Sequence, residues 1–186
     1  MPGPSLRPLC IVFAPLLLAA CASAPRSVPA TAPADAVPPA PLAATGSAQS
    51  AVANLASASG TLVSGRLMLQ AADGGVRVRG DVGGLVRNGT HNLRLHARGD
   101  CSAVDAASAG PEFDPVRGTP SREPDPGQRG RIVANAQGVA SIDLMLPGAV
   151  LGGGAGNDIV GRALLVLGAT PGAIGARVAC GVIHIP

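Results

Sequence analysis

After the turn residues Asp73-Gly74-Gly75, Val76, Val78 and Val82 alternate with Arg77, Arg79 and Asp81. Side chains of an extended strand point to opposite faces with a period of two, so the valines share one face and the charges the other. This describes an antiparallel strand with one face in a core and one in water. Leu67 and Leu69 repeat the pattern upstream. Downstream of Gln137-Gly138, Ala140, Ile142, Leu144 and Leu146 alternate with Ser141, Asp143 and Met145. The segments Ile159 to Leu167 and Ala176 to Ile185 bring the set to about eight strands. Short strands at even spacing, separated by glycine-rich turns, indicate an all-β sandwich or barrel and not an α/β sheet.

Composition sets what fills that barrel. The chain has 186 residues, 26 of them Gly and 18 Pro, with no Trp and no Tyr, and of its two Phe only Phe113 lies beyond the first twenty residues. The core must therefore be aliphatic, which favours strands over long helices. The length fits one domain with appendages, large enough to hold a core without help from a metal. A net charge of +3 is mild. The arginines are dispersed among strand-like segments with no aromatic residues between them, so nucleic acid is not an expected partner.

The first twenty residues carry Arg7, an apolar run from Leu9 to Leu18, and then Leu18-Ala19-Ala20-Cys21. An apolar run this short before small residues is a secretory signal and not a membrane span. Leu-Ala-Ala-Cys resembles the bacterial lipobox, so Cys21 is expected to be lipidated and to become the first mature residue. Several acyl chains, at about 0.8 kcal/mol per buried methylene, anchor a protein firmly. Ala22 after that Cys, in place of Asp, points to the periplasmic side of the outer membrane. Residues 21–49 are rich in Ala, Pro, Ser and Thr and are expected to form a tether, followed by a folded domain at 50–186. Cys10 leaves with the signal, so Cys101 and Cys180 remain as a pair in an oxidising compartment. The longest segment without strand periodicity runs from Cys101 to Gly130, and a loop of that length in a compact domain usually serves a function or descends from one that did. The run Gly152-Gly-Gly-Ala-Gly is not followed by the Lys-Ser or Lys-Thr of a phosphate loop and is expected to be a flexible connection. Asn88-Gly89-Thr90 fits a glycosylation sequon and is more simply a turn.

Three stretches carry a resemblance. They are Thr90-His-Asn-Leu-Arg-Leu-His-Ala-Arg-Gly-Asp-Cys-Ser with Ser108-Ala-Gly-Pro-Glu-Phe-Asp-Pro, then Gly161-Arg-Ala-Leu-Leu-Val-Leu, and finally Ile174-Gly-Ala-Arg-Val-Ala-Cys-Gly-Val-Ile. Over roughly residues 50 to 186 the chain resembles the copper/zinc superoxide dismutase family, which implies an eight-stranded Greek-key β-barrel. The resemblance puts Cys101 and Cys180 on the family's intrasubunit disulfide, which closes a loop of roughly 80 residues and is worth about 4 kcal/mol in the chain-entropy model. It puts Arg177 on the arginine that guides superoxide to copper. The plainer role for Arg177 is to hydrogen-bond the loop that the disulfide holds.

The same alignment removes most of the metal ligands. Period two on the strand from His91 to Ala97 turns Leu93 and Leu95 inward and Arg94 and His96 outward, toward solvent, onto the face where family members mount copper. His96 is then the only retained ligand position. Arg94 replaces a copper histidine, Glu112 the bridging histidine, Leu167 the late-strand copper histidine, and Arg131 the zinc aspartate. The chain's three histidines are His91, His96 and His184, too few for a family ligand set of six histidines and one aspartate. His91 is expected to be structural, and His184 has no partner to name. Glu112 is expected to pair with Arg94, Arg131 or both, pinning the long loop where metal pins it in relatives. Leu167-Gly-Ala-Thr-Pro-Gly-Ala is also short where active members carry a long charged loop that steers superoxide.

The resulting expectation is a catalytically inactive lipoprotein of the superoxide dismutase fold, with no copper or zinc cofactor. It would bind an envelope protein or an anionic envelope component, or serve a structural role there. The alternatives are a dismutase with a degenerate or partner-completed copper site, and weak metal delivery through His96 and Glu112.

Overall fold

The Asp73-Gly74 turn closes a hairpin between β2 (Ser64–Ala72) and β3 (Gly75–Gly83). The two strands pair in one unbroken antiparallel register, from Ala72 opposite Gly75 to Ser64 opposite Gly83. The computed structural model describes residues 39–121, 130–168 and 174–186. The signal segment, Cys21 and the tether up to residue 38 lie outside the described residues.

The remaining strands are β1 (Ser50–Ser57), β4 (Thr90–His96), β5 (Phe113–Asp114), β6 (Thr119–Pro120), β7 (Arg131–Val133), β8 (Ala140–Pro147), β9 (Ala163–Leu167) and β10 (Arg177–His184). Eight of the ten strands form one antiparallel sheet in the order β7-β4-β9-β10-β1-β2-β3-β8. The sheet curls into a nearly closed barrel with β7 and β8 at its seam, where Asn135 N–H donates to Val139 O across the connecting turn. Consecutive strands β3 and β4 are not neighbours, so the chain crosses over between them. The hairpin of β5 and β6 stands apart from the sheet and lies inside the segment expected to be one long loop.

Alternation sorts the core as the sequence leads one to expect. Leu67, Leu69, Val76, Val78 and Val82 are fully buried, and Leu93, Leu95, Leu164, Val166 and Ile183 complete the interior from the opposite wall. Each such side chain contributes roughly 1.5–3 kcal/mol on burial. On the outer face of β3 and β8, the Arg77 guanidinium donates to both oxygens of Asp143, at 2.6 and 2.7 Å.

Two segments differ from their compositional reading. Packing begins before residue 50: Ala43 N–H donates to Asn157 Oδ1, Asn157 Nδ2 donates to Ala43 O, and Ala48 N–H donates to Leu151 O. Pro and Ala suppress any periodic signal there, yet their backbone groups pair like those of a strand. The glycine run is likewise held in place. The Asp158 carboxylate accepts N–H groups from Gly152, Gly154 and Val160, which fixes a turn that glycine makes possible.

Candidate functional site

The outer face of β4, β9 and β10 brings together most of the residues singled out from the sequence. Cross-strand register places Arg94 beside Leu165, His96 beside Ala163, Asn92 beside Leu167, and Cys180 beside Leu165. Arg131, opposite Asn92 on the edge strand, shares this face. His91 points the other way and donates from Nδ1 to Leu167 O, 3.1 Å away. His184 lies on the exposed end of β10.

Arg94 and His96 are on the outward face, but they are not in water: their relative exposures are 8% and 3%. The expectation of a solvent-facing His96 is corrected by what lies over it. Residues 97–112 fold back across the sheet and leave a second small core of Ala58, Ala106, Ala109, Ala163, Leu165 and Cys180. Alanine-sized side chains allow the loop backbone to approach the sheet closely. The Cys101–Cys180 disulfide, with Cα atoms 5.8 Å apart, ties the loop to β10.

One carbonyl organises the contact. Gly110 O accepts from Arg177 Nη2 at 2.8 Å and from His96 Nδ1 at 2.8 Å, while Arg177 Nη1 donates to Ala106 O at 2.7 Å. Gly110 has φ of 75°, and an added Cβ would meet the Arg98 guanidinium. A side chain there would both strain the backbone and crowd that cation. Arg98 itself donates from Nε to Ser108 O. A carbonyl can only accept, so His96 carries its proton on Nδ1 and presents Nε2 as a bare lone pair. That atom is buried with no hydrogen-bond partner. Burial pushes the His96 pKa down, the Gly110 bond opposes this, and the Arg177 and Arg94 charges push it down further.

Glu112 forms a β-bridge with His96 and sets its Oε1 3.8 Å from Arg94 Nε, both side chains being largely buried. At that distance the two groups form an ion pair without a hydrogen bond. Arg162 has a role that sequence reasoning missed. Its guanidinium lies 3.5 Å from the centroid of the Phe113 ring and donates to Ala97 O and Asp158 O. The signal was the presence of the domain's lone Phe and of an arginine just before β9, residue types that a cation–π contact brings together.

Among the described residues no three His, Cys, Asp or Glu side chains lie close enough to hold a metal ion together. The face offers one imidazole nitrogen and one carboxylate, with the Arg94 guanidinium beside them. These donors do not fit a four-ligand copper or zinc site.

The copper/zinc superoxide dismutase family model matches residues 63–183. Superoxide dismutase (Cu-Zn) 2 of Mesembryanthemum crystallinum is 36% identical over 134 residues, which cover 63% of this chain and 83% of that protein. These matches overturn the expectation of no cofactor, because the family so matched is described by its copper and zinc. The family's metals and this chain's described donors thus disagree. The eight-stranded antiparallel barrel, the disulfide and the match over most of the chain lead to one conclusion: the chain belongs to the copper/zinc superoxide dismutase family.

Proposed function

We propose that this chain is a superoxide dismutase-fold lipoprotein that does not turn over superoxide and instead acts as a binding or structural module of the bacterial envelope. In this reading Cys21 carries the lipid, and the protein resides on the periplasmic side of the outer membrane. Its contact surface is the segment from Cys101 to Gly130 with the neighbouring arginines, suited to an envelope protein or an anionic envelope group. The observation that carries the reading is Arg94. A buried guanidinium paired with Glu112 stands on the copper-mounting face, where a permanent cation opposes a second one. The test is a dismutase assay on protein purified after loading with copper and zinc. The expected result is turnover no greater than that of the free metals. One tightly held copper per chain together with dismutase activity overturns the reading.

The bare Nε2 of His96 favours a second reading, in which copper is held weakly for delivery or a partner supplies the missing ligands. Weak copper uptake that His96→Ala abolishes supports it, and uptake unchanged by that substitution removes it.

A further inference from the structure

The segment preceding β1 is lashed to one end of the barrel. Gly156 N–H donates to Pro41 O, Asn157 exchanges two hydrogen bonds with Ala43, and Ser47 and Ala48 N–H donate to Gly152 O and Leu151 O. Asn157 is 3% exposed and also donates to Gly148 O, so the clasp is built into the fold. The chain upstream therefore departs from the barrel next to Leu42, at the end where β1 starts. Leu42 packs beside Gly118 and Gly156, and Val116 beside Gly148. Both side chains remain about half exposed, at 52% and 53%. Next to Val116 in the hairpin loop stands Arg117, its side chain 81% exposed and 3.6 Å from the Asp114 carboxylate. The opposite end, roughly 25 Å away along β1, holds a cavity of about 300 Å³ between Ser57–Gly60 and Cys101–Val104.

We infer that the barrel end carrying Leu42, Val116 and Arg117 is a contact surface for an anionic phospholipid bilayer. The inference rests on the membrane-anchored reading above. Residues 22–38 separate the proposed lipid from the clasp and reach at most about 60 Å. A tether of this length holds the barrel at roughly millimolar effective concentration beside the bilayer, so two apolar side chains and a cation suffice for contact where they would not bind from solution. The far end, with its cavity and Val104, then faces away from the membrane.

The chain has no Trp, so single substitutions L42W, V116W and V104W give isolated fluorescent reporters. Full-length lipidated protein is placed on phosphatidylglycerol-containing vesicles with brominated acyl chains. Quenching at positions 42 and 116 is expected to exceed that at 104 by about threefold or more, and Arg117→Gln should reduce it on anionic vesicles but not on neutral ones. If L42W unseats the clasp, V116W against V104W decides alone. Equal quenching at both ends, or greater quenching at 104, overturns the inference. A parallel arm replaces the lipid with a hexahistidine before Ala22 on nickel-lipid vesicles. End-selective quenching in that arm with no acylation of Cys21 in cells preserves the surface and sinks the lipoprotein reading; uniform quenching with Cys21 acylated does the reverse.

Discussion

The barrel interior and the outer face of β4, β9 and β10 are both dry, but they are dry for different reasons. Inside, Leu67, Leu93 and Leu164 interlock as aliphatic bulk, and no single polar contact decides the arrangement. Outside, a few alanines, one disulfide, one carbonyl and one ion pair keep water from Arg94 and His96. The first region is set by hydrophobic pattern and tolerates swaps of similar volume. The second is set by specific partners, and each one lost leaves another group buried and unsatisfied.

Substitutions can break this contrast. The largest effect is expected from removing the disulfide as Cys101→Ser with Cys180→Ser, at about 4 kcal/mol for a closed loop of this length; urea denaturation measures it. Leu164→Ala in the interior should cost about 3 kcal/mol by leaving a cavity. Calorimetry on that variant should show a lower Tm while hydrogen exchange at Ala106 and Gly110 stays near wild type. Arg177→Met should cost about 2 kcal/mol through the loss of two hydrogen bonds from a charged donor, with exchange accelerated in residues 103–112 ahead of global unfolding. If it leaves those amides protected, the loop is held without Arg177. Glu112→Gln should cost about 1 kcal/mol, and a double-mutant cycle with Arg94→Met isolates the pair.

The smallest effect is one of pH. The folded state lowers the His96 pKa below the ordinary imidazole value of 6.5, with burial as the first cause. The folded protein then binds fewer protons than the unfolded chain just below that value. Stability contributed by neutral His96 is complete above about pH 6.5 and is lost as pH falls through the lowered pKa. His96→Gln should flatten that part of the stability profile, and an unchanged slope would assign it to other groups.

Alternation made the inner face legible in the sequence, because a strand's period determines which side chains meet the core. The same alternation placed Arg94 and His96 on the outer face but could not show that they are buried. Burial there depends on a loop whose path follows from Gly110, Arg177 and the disulfide, residues far apart in the chain. The clasp at Ala43 was hidden for another reason. It is made of backbone groups and one asparagine, and neither leaves a periodic trace. Cysteine counting left Cys101 and Cys180 as a pair and the resemblance agreed. Its ligand positions mark where Arg94, Glu112 and Leu167 stand, whereas Arg162 over Phe113 required coordinates.

The strand order has a consequence for how the chain comes to be folded. β10, the last of the described strands in chain order, lies in the middle of the sheet, between β9 and β1. Until it arrives, β1-β2-β3-β8 and β7-β4-β9 are two ribbons joined through the turn at the seam, each with an open hydrogen-bonding edge on the side that β10 fills. Such edges invite pairing with other chains. Closure must wait for Arg177–His184, and contacts so distant in sequence make it slow. A chain cut before Arg177 would be left with two sticky halves, not a smaller barrel.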